Sequence, residues 1–268
     1  MTGRLAILAC GGALPVALAA VHPDAMQITL RGIPSDLAPT AREFQLEKIG
    51  SVFSAMKAEG VDRMVFAGHL ARPPLNPADF DADMMRIAPG LMMALPQGDD
   101  ALLRFVIRVF EDQGFQVIGA HELLPGLTAE QGLSVGSTPT KTDLSDGARG
   151  ADILSAISPL DIGQGCVVAG GMCLGIETVQ GTDALLGFVA QTPDTLRRGA
   201  KGVYVKAAKR GQDLRIDMPT IGPSTIAAVA NAGLAGLVIE ADKTVILNRA
   251  ETTQAVEDAG IFLTSQVL

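Results

Sequence analysis

Lys206, Lys209, Arg210, Gln212, Asp213, Arg215 and Asp217 make the densest group of polar side chains in this sequence, within KAAKRGQDLRIDMPTIG at residues 206–222. In DLRIDMP the charges alternate with apolar residues. An extended segment would put Asp213, Arg215 and Asp217 on one face and Leu214, Ile216 and Met218 on the other. The apolar face would anchor the segment and leave a carboxylate–guanidinium–carboxylate row facing a cleft. Phosphoryl transfer uses such a mixture: cations or Mg²⁺ on the non-bridging oxygens, and a carboxylate to hold metal or water. A carboxylate acting there as general base contributes about 10²–10⁴-fold. A solvated loop would also hold these charges, but it would not require their alternation.

Other residues could assist. Glu177 ends a hydrophobic strand, and a buried carboxylate must be paired or bind a cation. Asp161, Gln164, Thr182 and Asp183 put further polar groups beside apolar strands, although Thr182 also suits a helix cap. Gly11-Gly12 lies between a strand and a helix, where backbone N–H groups could face a phosphate. The G-x-G-x-x-G fingerprint is incomplete there, so a plain tight turn fits equally well. Arg72, in the loop GHLARPPL, could hold a phosphate bidentately; a surface Arg before a stiff Pro-Pro turn is the alternative. Asp99 and Asp100 begin a helix, where capping explains at least one of them.

These residues need elements to position them. In the first half, strand signals at residues 5–10, 26–30, 63–67 and 115–118 alternate with helical ones from about residue 13, over 42–59 and over 99–112. That rhythm predicts a Rossmann-like parallel sheet with helices on both faces. Residues 124–150, rich in Gly, Ser, Thr, Pro and Asp, read as a linker. The second half reads as mixed α/β: a hairpin turning at Gly170-Gly171, a helix from Gly181, a strand at 202–208, a helix capped by Ser224, and further short strands. The expected organisation is two domains, 1–130 and 131–268, with a ligand cleft between them and the charged motif on the second.

Composition excludes several classes. Nearly half of the 268 residues are apolar, which supplies a substantial core. The formal net charge is −8, no Lys/Arg-rich run appears, and Trp is absent, so nucleic acid is not expected as a partner. The three cysteines, Cys10, Cys166 and Cys173, show no C-x-x-C spacing and read as small buried hydrophobes in a reducing cytoplasm. Residues 5–21 imitate a signal peptide, but Gly11-Gly12 and Pro15 interrupt the run. No stretch approaches the ~20 apolar residues of a membrane span.

At these same motifs the sequence resembles the LpxI-type UDP-2,3-diacylglucosamine pyrophosphatases. ILACGGALP, AGHLARP and GDDALLR are similar to the first half of that family. DIGQGCVV, IETVQGTDALL, VKAAKRGQDLRIDMPTIGPSTI and AGLAGLVIEA are similar to the second. The resemblance implies a cytoplasmic enzyme of lipid A biosynthesis in Gram-negative bacteria. Such an enzyme hydrolyses UDP-2,3-diacylglucosamine to 2,3-diacylglucosamine 1-phosphate (lipid X) and UMP with Mg²⁺. It implies Asp217, Asp213 and Arg215 as catalytic, with Asp217 and Glu177 toward metal. Substrate contacts would come from Gly11, Gly12, Arg72, Asp99, Gln164, Thr182, Asp183, Lys206, Gln212 and Thr225. His69 departs from the pattern, standing where a Lys is expected. Acyl chains need an apolar lining, for which Met84, Met85, Met92 and Met93 are candidates. The enzyme would meet its lipid substrate by transient contact with the inner-membrane surface, and a homodimer is compatible. The rival readings are an NAD(P)-dependent oxidoreductase and a non-enzymatic, secreted binding protein.

Overall fold

A computed structural model describes residues 3–70 and 74–268. The chain forms two compact units: one runs to Pro125 and includes Asp213–Asp217, the other holds Gly126–Gln212 and Met218–Leu268.

In the N-terminal unit, β1 (Arg4–Ala9), β2 (Met26–Leu30), β3 (Arg42–Phe44), β4 (Val61–Ala67) and β5 (Gln116–Val117) form a sheet of order β3-β2-β1-β4-β5. Every pairing is parallel. An uninterrupted apolar run such as LAILA is what a central strand covered on both faces requires. Its side chains alternate accordingly. Ala6 and Leu8 enter a core with Val52, Phe53 and Met56 of α2 (Ile49–Ala58), Met84 of α3 (Ala82–Ala94), and Ile107 and Phe110 of α4 (Asp99–Glu111). Leu5, Ile7 and Ala9 enter the opposite core with Leu18 of α1 (Leu14–Val21) and Leu123 of α5 (Ala120–Leu123). The Rossmann-like expectation describes this unit.

The helix expected over 42–59 begins only at Ile49. Residues 42–44 instead add β3 to the sheet edge, and Leu46–Lys48 make one 3₁₀ turn. All the apolar positions that set the helical period (Ile49, Val52, Phe53, Met56) lie in α2 itself. The ladder to β2 is a non-local opportunity that periodicity cannot register.

In the C-terminal unit a six-stranded sheet has the order β6-β13-β11-β9-β7-β8. Its strands are β6 (Ser134–Gly136), β7 (Gly165–Ala169), β8 (Met172–Ile176), β9 (Val203–Lys206), β11 (Gly236–Glu240) and β13 (Phe262–Gln266). β9, β11 and β13 are mutually parallel; β6, and the β7–β8 hairpin, run antiparallel to their neighbours. A small parallel pair, β10 (Thr220–Ile221) and β12 (Val245–Ile246), stands apart. α7 (Gly181–Ala190), α8 (Pro223–Asn231) and α9 (Arg249–Asp258) cover one face of the large sheet, and α6 (Lys141–Ile157) the other.

The reading of 124–150 as a linker is corrected, because β6 and much of α6 lie inside it. Thr140 and Asp143 start α6 reciprocally: Asp143 N–H donates to Thr140 Oγ1 at 3.2 Å, and Thr140 N–H to Asp143 Oδ2 at 2.8 Å. Its glycines reflect close packing on the sheet. A Cβ on Gly150 would sit 2.5 Å from Val205 Cγ2.

The Gly170-Gly171 hairpin forms as expected, with φ of +54° and +78°, values that a two-residue turn demands and glycine supplies. Asp146, buried on α6, accepts both turn N–H groups, at 2.9 and 2.7 Å. Another buried charge closes two helix ends: Arg197 donates to the carbonyls of Val189 and Ala232 at 2.9 Å and of Lys201 at 3.0 Å. The cap expected from Ser224 is supplied by Thr225, whose hydroxyl accepts the Gly222 N–H at 3.3 Å, while Ser224 is exposed. Among the described residues, no helix is long and apolar enough to cross a membrane.

Candidate active site

Asp213–Asp217 falls late in the sequence but groups with the N-terminal unit, while residues 206–212 and 218–222 of the same motif belong to the C-terminal one. The segment is not extended. The Asp213 carbonyl accepts the N–H groups of Ile216 at 3.4 Å and Asp217 at 3.3 Å, so the chain makes one tight turn. Ile216 packs against the core of that unit and anchors the turn. The row of three charges on one extended face is therefore corrected. Arg215 folds back onto Asp213 in a two-pronged contact, Nε to Oδ1 at 2.9 Å and Nη2 to Oδ2 at 2.7 Å, and its Nη1 reaches Glu111 Oε1 at 2.7 Å.

The turn's electrostatics follow from this geometry. Hydrogen bonding by Arg215, only partly offset by desolvation, holds the Asp213 carboxyl below its ordinary value. Asp213 in turn raises the Arg215 guanidinium. Two acids thus fix Arg215, and Asp213 is spent on holding it. Asp217 is half-buried at the end of the turn.

The second polar cluster lies wholly in the C-terminal unit, where β8 and β9 end and α7 begins. The Lys206 ammonium donates to Thr182 Oγ1 at 2.8 Å and lies 3.6 Å from Glu177 Oε2. Thr182 Oγ1 and the Tyr204 hydroxyl donate to that same carboxylate oxygen, at 3.0 and 3.2 Å. Burial first, and then the Glu177 charge, push the Tyr204 phenol well above its ordinary range. Gly165 leaves room for the group, because a Cβ there would meet Glu177 Oε2 at 2.5 Å and the Tyr204 hydroxyl at 2.7 Å. The polar residues gather at the carboxyl ends of the parallel strands, the customary ligand edge of such a sheet.

The loop that leaves β9 is fixed from several sides. Glu240, at the end of β11, accepts the Ala208 N–H at 2.9 Å. Ser158 accepts the Arg210 N–H at 2.5 Å, and Asp161 pairs with the Lys209 ammonium. Gln212 closes the loop by accepting the Lys209 N–H at 2.9 Å. Sequence reasoning missed Glu111, Ser158, Tyr204 and Glu240. Only Glu240, an acid ending an apolar strand, carried the signal that singled out Glu177.

The remaining expected residues divide plainly between the units. Gln164, Glu177, Thr182, Asp183, Lys206, Gln212 and Thr225 belong to the C-terminal one. Thr225 is buried with its hydroxyl on Gly222 N–H, so its observed role is that of a cap. Gly11, Gly12, Asp99, Asp213, Arg215 and Asp217 belong to the N-terminal one, and Arg72 lies outside the described residues. Gly11 N–H does not face an open site: it donates to His69 O at 3.1 Å, and His69 N–H returns a bond to Gly11 O at 2.8 Å. That counts against a dinucleotide loop. Asp99 begins α4 and Glu111 ends it, so at ~1.5 Å rise per residue the two are about 18 Å apart. The N-terminal unit does not bring Asp99 to the Arg215 pair. Met84 is buried in the core, whereas Met85, Met92 and Met93 stand exposed on α3. Met93 also lines a groove of about 410 Å³ with Phe105, Arg104 and Arg108 of α4.

Mg²⁺ takes near-octahedral oxygen ligands, keeps several waters, and is often held by one or two carboxylates plus substrate phosphates. Glu177 does not fit that role, because its oxygen already takes two hydroxyl donors and a cation placed there would meet the Lys206 ammonium. Asp217 fits as a single protein ligand. Among the described residues no three His, Cys, Asp or Glu gather as a metal cluster.

Two family models match this chain. The LpxI N-terminal domain matches residues 4–127 and the LpxI C-terminal domain residues 130–264. The chain is also 39% identical to a protein of Caulobacter vibrioides named UDP-2,3-diacylglucosamine pyrophosphatase LpxI, over 97% of this chain and 96% of the relative.

Proposed function

The chain belongs to the LpxI family, and on that premise we propose that it hydrolyses the pyrophosphate bond of UDP-2,3-diacylglucosamine in lipid A biosynthesis. The observation that carries this reading is the match to the Caulobacter vibrioides pyrophosphatase across both units. The geometry agrees with it. Hydrolysis of a phosphoric anhydride needs cations for the phosphate oxygens and a carboxylate for water or metal, with little covalent work by the protein.

Asp217 is the residue assigned to the attacking water, at the end of a turn held rigid by the Arg215–Asp213–Glu111 contacts. Lys206 is assigned to the diphosphate, its ammonium aimed by Thr182 and Tyr204 and balanced by Glu177. Mg²⁺, when bound, would neutralise charge on the phosphate oxygens, and Asp217 is the residue that would hold it. The products are then UMP and 2,3-diacylglucosamine 1-phosphate. The exposed methionines of α3 offer adaptable apolar surface to the acyl chains. We place the enzyme in the cytoplasm, in transient contact with the inner membrane that supplies its substrate; a homodimer is compatible with this reading.

The test is direct. The purified chain, given UDP-2,3-diacylglucosamine dispersed in detergent, should release UMP and the lipid 1-phosphate in equal amounts. Release of UDP, or no turnover with and without Mg²⁺, would overturn the assignment.

A further inference from the structure

Two thiols lie side by side in the β7–β8 hairpin, away from any role in hydrolysis. Cys166 Sγ is 3.9 Å from Cys173 Sγ, and both are free. Cys166 is buried in the middle of β7, in register with Val205 of β9. Cys173 is exposed on β8, the outermost strand of the sheet, where the ladder slips register opposite Val167 and Val168. An edge strand with a bulge has fewer ladder bonds holding it than a central one. The sulfurs need to approach by only ~2 Å to reach disulfide length.

We infer that Cys166 and Cys173 form an oxidisable pair, a modification site for peroxide-class oxidants. Cys173 is the sulfur that a peroxide can reach. Its sulfur attacks the O–O bond; an S–O bond forms, O–O breaks, and the leaving oxygen departs as water with the thiol proton. Cys166 then attacks the sulfenic sulfur of Cys173. The S–S bond forms, S–O breaks, and hydroxide leaves as water with the Cys166 proton. Two thiols are oxidised and one peroxide is reduced to two waters. Burial raises the Cys166 thiol far above its ordinary range, which suits a resolving group that does not meet solvent oxidant itself. Burial likewise pushes Cys10 up to about 11, and it lies in the other unit.

β8 runs directly into Glu177, so drawing Cys173 toward β7 would shift the carboxylate that balances Lys206. Oxidation should therefore lower hydrolysis. This consequence rests on the proposed function; the pairing itself does not.

The experiment treats the full chain with hydrogen peroxide, then denatures it, alkylates the remaining thiols and weighs the peptides. Wild type and Cys10→Ser should each lose two alkylatable thiols and two hydrogens, gain no oxygen at either cysteine, and recover both thiols with dithiothreitol. Cys166→Ser should instead yield a sulfenic acid at Cys173 that dimedone traps. Oxygen added to Cys173 while Cys166 remains alkylatable would overturn the proposal, as would a disulfide joining two molecules. In a second arm, oxidised wild type should release UMP several-fold more slowly than reduced protein, with Cys173→Ser unaffected by peroxide. Undiminished release from fully oxidised protein would remove the link to Glu177. No release from reduced protein would sink the hydrolase reading, and the thiol masses would still decide the pair.

Discussion

Arg215 grips Asp213, two residues before it, through two parallel N–H···O contacts of 2.9 and 2.7 Å, and extends its remaining nitrogen to Glu111 at 2.7 Å. Planar two-pronged pairing of this kind fixes geometry as well as charge. A guanidinium held by two carboxylates has little charge left to offer a substrate. On the proposed mechanism the turn holds Asp217 in place, and Arg215 acts as a positioning residue for it.

Asp217→Ala should lower UMP release by about 10²–10⁴-fold, the range for losing a general base or its metal-bound equivalent. Binding of the lipid nucleotide, measured by calorimetry, should survive. Full activity in this variant would remove Asp217 from the mechanism.

Arg215→Met should change stability in a pH-dependent way. Arg215 keeps the folded-state pKa of Asp213 below its ordinary value of 3.8, so the pair stabilises the fold at pH values above that number. The stabilisation fades as pH falls below about 4 and through the folded-state value, because the carboxylate then protonates in both states. Urea titrations should find a constant gap between wild type and variant above about pH 5 that narrows toward pH 2. A gap independent of pH would contradict the pairing.

Gly165→Ala places a methyl within 2.5 Å of Glu177 Oε2 and 2.7 Å of the Tyr204 hydroxyl. Overpacking of this kind costs on the order of 1–3 kcal/mol. Here it should also displace the acid that balances Lys206, raising KM for the diphosphate substrate more than tenfold. A destabilised variant with unchanged KM would detach the cluster from substrate binding.

Arg197→Met removes a buried guanidinium from the helix-end carbonyls of Val189 and Ala232. Leaving those groups without donors should cost on the order of 3 kcal/mol in chemical denaturation, with kcat unchanged at low temperature. A loss below ~0.5 kcal/mol would mean that water replaces the arginine without cost.

EDTA should stop hydrolysis, and Mg²⁺ added back to excess should restore it. Undiminished turnover after thorough chelation would leave Asp217 acting on water alone.

What the sequence disclosed follows from the range of the forces involved. The central strand β1, the α4 stripe and the Gly170-Gly171 hairpin are local patterns of burial and turn geometry, and each was legible. The turn at Asp213–Asp217 was not, because strict alternation of charge imitates a strand while Arg215 reaches Glu111, a partner 104 residues away. α6 was hidden by glycines that permit close approach to Val205 and Val238, residues whose proximity no linear pattern announces. Its start was nevertheless written in Thr140 and Asp143, spaced as a capping pair. Glu177 was singled out as a carboxylate that must be paired or bind a cation; that its partner is Lys206 required the sheet to place β8 and β9 near one another.

The loan of five late residues to the first unit has a consequence for biogenesis. An emerging chain normally lets its leading domain fold as soon as that stretch clears the ribosome. Here Ile216, which packs against the core that α2 and α4 help to form, is synthesised about ninety residues after Pro125. Until it arrives, the nascent amino-terminal sheet waits with one of its packing partners missing. A fragment ending at Pro125 would be permanently in that condition, and a late nonsense codon before Asp213 would leave both units damaged.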